Sequence, residues 1–166
     1  KNPIENKQFM LFLCAIIEAV HKYSEMLRIT VATAGNDHRL GANEAPPAIV
    51  SVFLGEQLTA ALKSIETGKP VKEAIDLVME LGVNSLPKFI IDATDRNRTS
   101  PFAFTGNKFE FRMLGSNQSI AGPNITINTI VADVLKDYAD ILEKADDFNV
   151  ALDELLQKSV SKSKNV

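Results

Sequence analysis

The 166-residue chain has no tryptophan, one cysteine and two histidines. A lone cysteine, Cys14, excludes an internal disulfide and with it the disulfide-stapled secreted class; it points to a reducing, cytoplasmic setting. There is no HExxH, no CxxC and no calcium-loop pattern, so the standard zinc and EF-hand classes drop out. Long apolar runs are missing too. The longest, Phe9 to Ile17, is far short of the roughly 20 residues a membrane span needs. Nor is there an excess of positive charge. The formal net charge is −3, which gives no bulk pull toward nucleic acid or an anionic membrane. No signal-peptide pattern is visible. The chain starts "KNPIENKQF" without Met and runs straight into an apolar stretch, which reads as a piece of a longer chain.

What is present is the composition of a soluble domain with one sizeable core: 45% apolar and 23% charged residues. From Gln8 to Tyr23 the chain is apolar nearly all round, as in a helix buried on most sides. "SEMLRITVATAG" is read as helix, and the Gly- and Pro-containing Gly35–Ala48 as a loop. Ile49, Val52, Phe53, Leu58, Ala61, Leu62 and Ile65 keep helical spacing, with Gly68 placed to end that helix. Pro70 then opens another, predicted to run to about Leu81. Gly82–Ser100 is mostly loop, with a short extended piece at "KFII". "SPFAFTGNKFEFRM", Ser100 to Met113, alternates on both sides of a Gly-containing link and predicts a β-hairpin. A long amphipathic helix is expected from near Asn124, and a last one from about Asp147. The fold class is therefore α+β and predominantly helical. A hairpin is marginal alone, so it must pack on helices or belong to a sheet of which part is missing.

Three stretches could carry chemistry. Glu110 and Arg112 lie two apart on a strand, on one face, with Phe109 and Phe111 on the other. Glu110 could ligate a hard cation such as Mg²⁺ or Mn²⁺, yet a solvated face on which Glu110 and Arg112 simply pair explains the spacing as well. Arg96 and Arg98 in "DRNRTS" suit phosphate or carboxylate, while a solvated loop with an internal salt bridge is the bland alternative. Arg39 and Glu44 in "HRLGANEAPPA" suit a closing loop that carries an acid, or an ordinary surface loop. Singly, none outweighs its bland alternative. His21 and His38 fall on different elements and read as structural, and Cys14 in its apolar helix reads as inert.

Taken in order, "HRLGANEAPPA", "TDRNRTSPFAFTGNKFEFRM" and "SIAGPNITINTIVA" resemble the glutamine synthetase superfamily, closely its type III branch. The resemblance covers nearly the whole chain. It implies an ATP-dependent glutamate–ammonia ligase working through γ-glutamyl phosphate, with Mg²⁺ or Mn²⁺. By position it implies substrate contact for Arg39, and for Glu44 a catalytic place on a flap that shields the intermediate and takes a proton from ammonium. It implies ATP contacts for Arg98 and Lys108, a metal-ligand role for Glu110, and a substrate or phosphate contact with a catalytic role for Arg112. It also implies a homo-oligomeric ring.

Departures from the family pattern are visible. The step from Arg39 to Glu44 is one residue short of the usual six, and Ala103 stands where other branches carry a further Arg. Residues from about 48 to 91 form an insertion, expected to be helical. The other metal ligands and most sheet strands of the family lie upstream of the first residue. The expectation is therefore the C-terminal part of the catalytic domain (1–145) and the start of a helical region (146–166), inactive in isolation. Two other readings stay open: a non-catalytic interaction module that keeps the scaffold, and a ligase that joins glutamate to another amine. Nucleic acid and membrane partners are not expected.

Overall fold

The computed structural model describes residues 6–68, 78–79, 89–90, 95 and 99–166. Helix α1 (Lys7–Lys22) starts where the Asn6 side chain accepts from the Phe9 amide. From Phe9 to Val20 every residue but Phe12 is at least half-buried, as its all-round apolar sequence predicts. It is the central helix, packing against α5 (Ala121–Leu142) and α6 (Phe148–Ser163), while α4 (Glu56–Thr67) packs on α6. Leu13 and Met10 from α1, Leu58 and Ala61 from α4, and Leu152, Leu156 and Val160 from α6 make one core cluster. Val20, Ile130, Val134 and Tyr138 anchor a second, between α1 and α5.

Between these helices the chain departs from its predicted course. The helix read through "SEMLRITVATAG" breaks into α2 (Ser24–Ile29) and α3 (Ala34–Arg39). The Thr30 hydroxyl turns back to the Leu27 carbonyl, and Thr33, in extended conformation, caps α3 by accepting from the Asn36 amide. Part of the predicted loop is thus helical, and Arg39 sits in the last turn of α3. The helix read from Ile49 onward begins only at Glu56. Gly55, at φ +79°, breaks the chain before it, and Val52–Phe53 form strand β1 instead. Gly68 ends α4 in the left-handed conformation, as predicted.

The predicted helix after Pro70 is overturned at Val78–Met79. These form strand β2, paired antiparallel with β3 (Phe89–Ile90) in the predicted "KFII" stretch. Pro70 and the rest of that helix lie outside the described residues. The region 48–91 therefore holds strands as well as a helix.

The hairpin forms as predicted. Strands β4 (Phe102–Phe104) and β5 (Phe109–Phe111) pair antiparallel, with Phe102 opposite Phe111 and Phe104 opposite Phe109. The Thr105 amide donates to the Lys108 carbonyl, which narrows the link to Gly106–Asn107, and Gly106 takes φ +91°. β1 joins β4 in parallel, giving a three-stranded sheet of order β1-β4-β5. A parallel pair needs a long crossover, and α4 with the following segment supplies it. Phe102 stacks on Phe109 at 5.1 Å, and Phe9 of α1 meets Phe104 at 5.9 Å, so one face of the sheet lies on the helical core. Helix α5 starts at Ala121, three residues before the predicted Asn124, because Pro123 is tolerated in a first turn. Asp147 caps α6 as expected.

Candidate functional site

Strand alternation decides which side chains meet. With Phe109 and Phe111 turned toward the core, Glu110 and Arg112 emerge on the other face. Arg112 Nε and Nη2 donate to Glu110 Oε2 at 3.2 and 3.1 Å. Its third nitrogen, Nη1, donates to the Asp95 carbonyl at 2.6 Å and lies 3.4 Å from Asp95 Oδ2. The guanidinium is thereby fixed in plane by two acidic residues, and only 16% of its side chain is exposed.

Asp95 holds this arrangement to the sheet. Its Oδ1 accepts from the Thr99 amide and hydroxyl, and its Oδ2 from the Ser100 amide. Ser100 in turn donates to the Ser51 carbonyl, at the entry of β1. Burial works against the Asp95 charge. The bonds from Thr99 and Ser100 and the Arg112 guanidinium outweigh it and hold the carboxyl below its ordinary range. For Glu110 the Arg112 hydrogen bond is the largest influence, and it too is held below the usual carboxylate range.

Glu110 Oε2 is taken by Arg112, while among the described residues Oε1 has only long contacts, with the Thr105 hydroxyl at 3.4 Å and Lys108 Nζ at 3.6 Å. A carboxylate oxygen of this kind could serve a hard cation as one donor. Among the described residues no group of three or more His, Cys, Asp or Glu side chains could hold a metal. Glu110 thus fits the ion as one donor, and a full set is not assembled from the described residues alone. Ala103 faces Glu110 directly across the ladder and is fully buried, so no cation comes from that position.

Arg39 joins from the other side. Its Nη2 donates to the Met113 carbonyl at 2.7 Å, and its Nε to Asn36 Oδ1 at 3.0 Å. Buried Asn36 donates to the same Met113 carbonyl and to Val31. Arg39 is therefore docked on the residue next to Arg112. The loop that follows closes on itself, with the Gly41 amide donating to the Pro46 carbonyl at 2.9 Å. Within it Glu44 has φ +59°, the left-handed region that side chains other than glycine rarely occupy.

Of the residues singled out from sequence, the structure brings Lys108, Glu110 and Arg112 together and docks Arg39 beside them. Glu44 lies on the adjoining loop. Arg96 and Arg98 lie outside the described residues. Among the described residues the guanidinium partner of Asp95 is Arg112. Sequence reasoning missed Asp95 and Asn36. No short pattern announces Asp95, because its bonds reach four and five residues on, past the two-residue span of an ordinary Asx-turn.

The class defined so far is an α+β unit whose sheet presents a fixed guanidinium between two carboxylates. No family model matches the chain. Among curated proteins, it is 52% identical over 134 residues to "Type-3 glutamine synthetase" of Dictyostelium discoideum, covering 81% of this chain and 18% of that one. It is 44% identical over 159 residues to "Glutamine synthetase" of Bacteroides fragilis (strain YCH46), covering 94% of this chain and 22% of the relative. To "Glutamine synthetase" of Butyrivibrio fibrisolvens it is 53% identical over 121 residues, 73% and 17% of the two chains. The chain therefore belongs to the glutamine synthetase family as a segment of it, and it spans about a fifth of the length of the curated relatives it matches. Among the described residues no helix is long and apolar enough to cross a membrane.

Proposed function

We propose that this chain supplies part of the active site of an ATP-dependent glutamate–ammonia ligase. The observation that carries the reading is the fixed Glu110–Arg112 face beside the Arg39 loop, in a chain 44–53% identical to glutamine synthetases. In the proposed reaction a glutamate side-chain carboxylate attacks the γ-phosphorus of ATP, releasing ADP and leaving γ-glutamyl phosphate. Ammonia then attacks the acyl carbon, and phosphate leaves.

Arg112 suits the first step. Its guanidinium is held in plane beforehand, so it can face the charge on the transferring phosphoryl group without reorganising. Arg39 is the proposed substrate contact, and Lys108 and Arg98 the proposed ATP contacts. Glu44 is assigned to the closing loop, where its carboxylate would take a proton from ammonium while the loop keeps water from the acyl phosphate. Glu110 would give one oxygen to Mg²⁺ or Mn²⁺, with the other ligands coming from outside the described residues. Such an ion, when bound, would offset phosphate charge.

On this reading the 166-residue chain is inactive alone, and the complete protein is a cytoplasmic homo-oligomeric ring. The test is glutamine formation by the full-length protein from glutamate, ATP and ammonium, with Mg²⁺ or Mn²⁺ added. Activity is expected, with Arg112→Lys reducing kcat by about 10²-fold or more because the planar fork is lost. An inactive full-length protein would overturn the assignment. Turnover only with an amine other than ammonia would replace the acceptor and keep the phosphoryl chemistry.

A further inference from the structure

Arg112 has three nitrogens and all three are engaged, yet only two of those bonds go to the strand partner Glu110. The third goes to the Asp95 main-chain carbonyl at 2.6 Å, with the Asp95 carboxylate a longer 3.4 Å away, and that carbonyl is only as well placed as the residue that carries it. The side chain of the same residue ties it to Thr99 and Ser100. Asp95 uses both carboxylate oxygens, Oδ1 on Thr99 and Oδ2 on Ser100, at 2.8–3.1 Å. The side chain of Asp95 is 3% exposed, so water does not stand in for these partners. Ser100 is tied to Ser51 and, two residues along, to the Phe102 carbonyl at the start of β4. The chain of contacts therefore runs from β1 and β4, through Ser100 and the Asp95 carboxylate, to the Asp95 carbonyl and on to Arg112 Nη1. Breaking it at the carboxylate frees the Asp95 carbonyl while leaving the Glu110–Arg112 pair in place.

We infer that Asp95 is the positioning residue for Arg112: its carboxylate, bound to Thr99 and Ser100, holds its own carbonyl where it keeps the guanidinium aimed on the Glu110 face. Its kinetic consequence rests on the ligase reading above, whereas its structural consequence does not. An asparagine tests the point sharply. It has one acceptor oxygen where the carboxylate has two, so it can satisfy Thr99 or Ser100 but not both.

The experiment uses the full-length protein and two readouts. The first is the rate at which phenylglyoxal, an arginine-specific reagent, modifies Arg112, followed by peptide mass spectrometry. The second is kcat for glutamine formation in Asp95→Asn, in Arg112→Lys and in the double variant. Modification of Arg112 is expected to rise several-fold in Asp95→Asn. The kcat is expected to fall by about 10–100-fold, the scale on which losing an orienting partner acts. On the Arg112→Lys background the same change should cost little, because the group being oriented is already gone.

Unchanged labelling of Arg112 overturns the inference. So does an equal kcat loss on both backgrounds, which is the signature of general damage to the fold. If the wild-type protein has no ligase activity, the functional reading fails and the labelling result alone decides the role of Asp95. If Asp95→Asn does not fold, Thr99→Val decides. Thr99 is exposed, and that change removes one bond to Oδ1 while keeping the charge. Labelling should then rise to a smaller extent, and no rise overturns the inference.

Discussion

At the scale of single residues, Glu44 combines a proposed role with an observed oddity. Holding a side chain other than glycine in the left-handed region costs about 1–2 kcal/mol, and such cost concentrates where function needs a particular geometry. Two substitutions separate the backbone from the carboxylate. Glu44→Gly suits φ +59° without strain, whereas Glu44→Ala keeps the strain and removes the acid. If the carboxylate serves ammonia use and protection of the acyl phosphate, both variants of the full-length protein should lose glutamine formation alike. Both should also release phosphate from ATP and glutamate without ammonium, since water would reach the intermediate. Steady-state kinetics with and without ammonium check this. Wild-type rates in both variants would remove Glu44 from its assigned role and leave its φ as a feature of the loop alone. Asn36 stands beside it as a purely structural counterpart. Its amide and carbonyl serve Val31, Met113 and Arg39 at once, which explains why a short polar helix survives next to the site.

At the scale of elements, α1 makes the clearest prediction. Leu13 is 1% exposed and belongs to the core cluster to which α1, α4 and α6 all contribute. Leu13→Ala should cost about 2–5 kcal/mol, the usual range for opening a cavity at such a site. Hydrogen exchange in the full-length protein should show faster amides in α1, α4 and α6 together. Loss confined to α1 would mean that the three helices do not share one core.

The same elements show what is legible in the sequence. The apolar character of Gln8–Tyr23, the alternation of "FAF" and "FEF", and the stripes of α5 and α6 each specify their element. In these cases the period repeats often enough to be read. β1 is not legible, because two residues carry no period. Val52–Phe53 become a strand through pairing with Phe102–Ala103, far along the chain, and the helical spacing that runs through them is incidental. α3 is hidden for the opposite reason. "AGNDHR" is a poor helix former, and the Thr33 cap and buried Asn36 hold it. In the candidate site, the shared face of Glu110 and Arg112 is legible from alternation. The bond to Asp95, 17 residues away, depends on tertiary closure that no local pattern announces.

At the scale of the whole molecule, the helical layer is joined by a buried polar contact as well as by its apolar core. Tyr138 of α5 donates to Glu18 of α1 at 2.8 Å and lies 2.5 Å from Ser159 of α6, while Lys162 of α6 lies 3.5 Å from Glu18. Three helices thus meet at one carboxylate. Burial opposes its charge, but the bonds from Ser159 and Tyr138 and the nearby Lys162 hold it below its ordinary value of 4.5. Burial pushes the Tyr138 hydroxyl upward, so it keeps its proton through neutral pH. A carboxyl whose pKa is depressed on folding stabilises the fold above its unfolded value. That contribution fades as pH falls below about 4.5 and through the folded value. Glu18→Gln should therefore weaken the helical layer at pH 7 by roughly 1.5–3 kcal/mol, as expected for a hydrogen bond to a charged group. The difference from wild type should shrink as pH falls below about 4.5 and on through the depressed folded value, as the wild-type carboxylate itself takes up a proton. Exchange rates of α1, α5 and α6 amides in the two full-length proteins, compared at pH 7 and again near pH 3 after correction for intrinsic exchange, measure this. A deficit of the same size at both pH values would show that shape at Glu18, rather than its charge, joins the three helices.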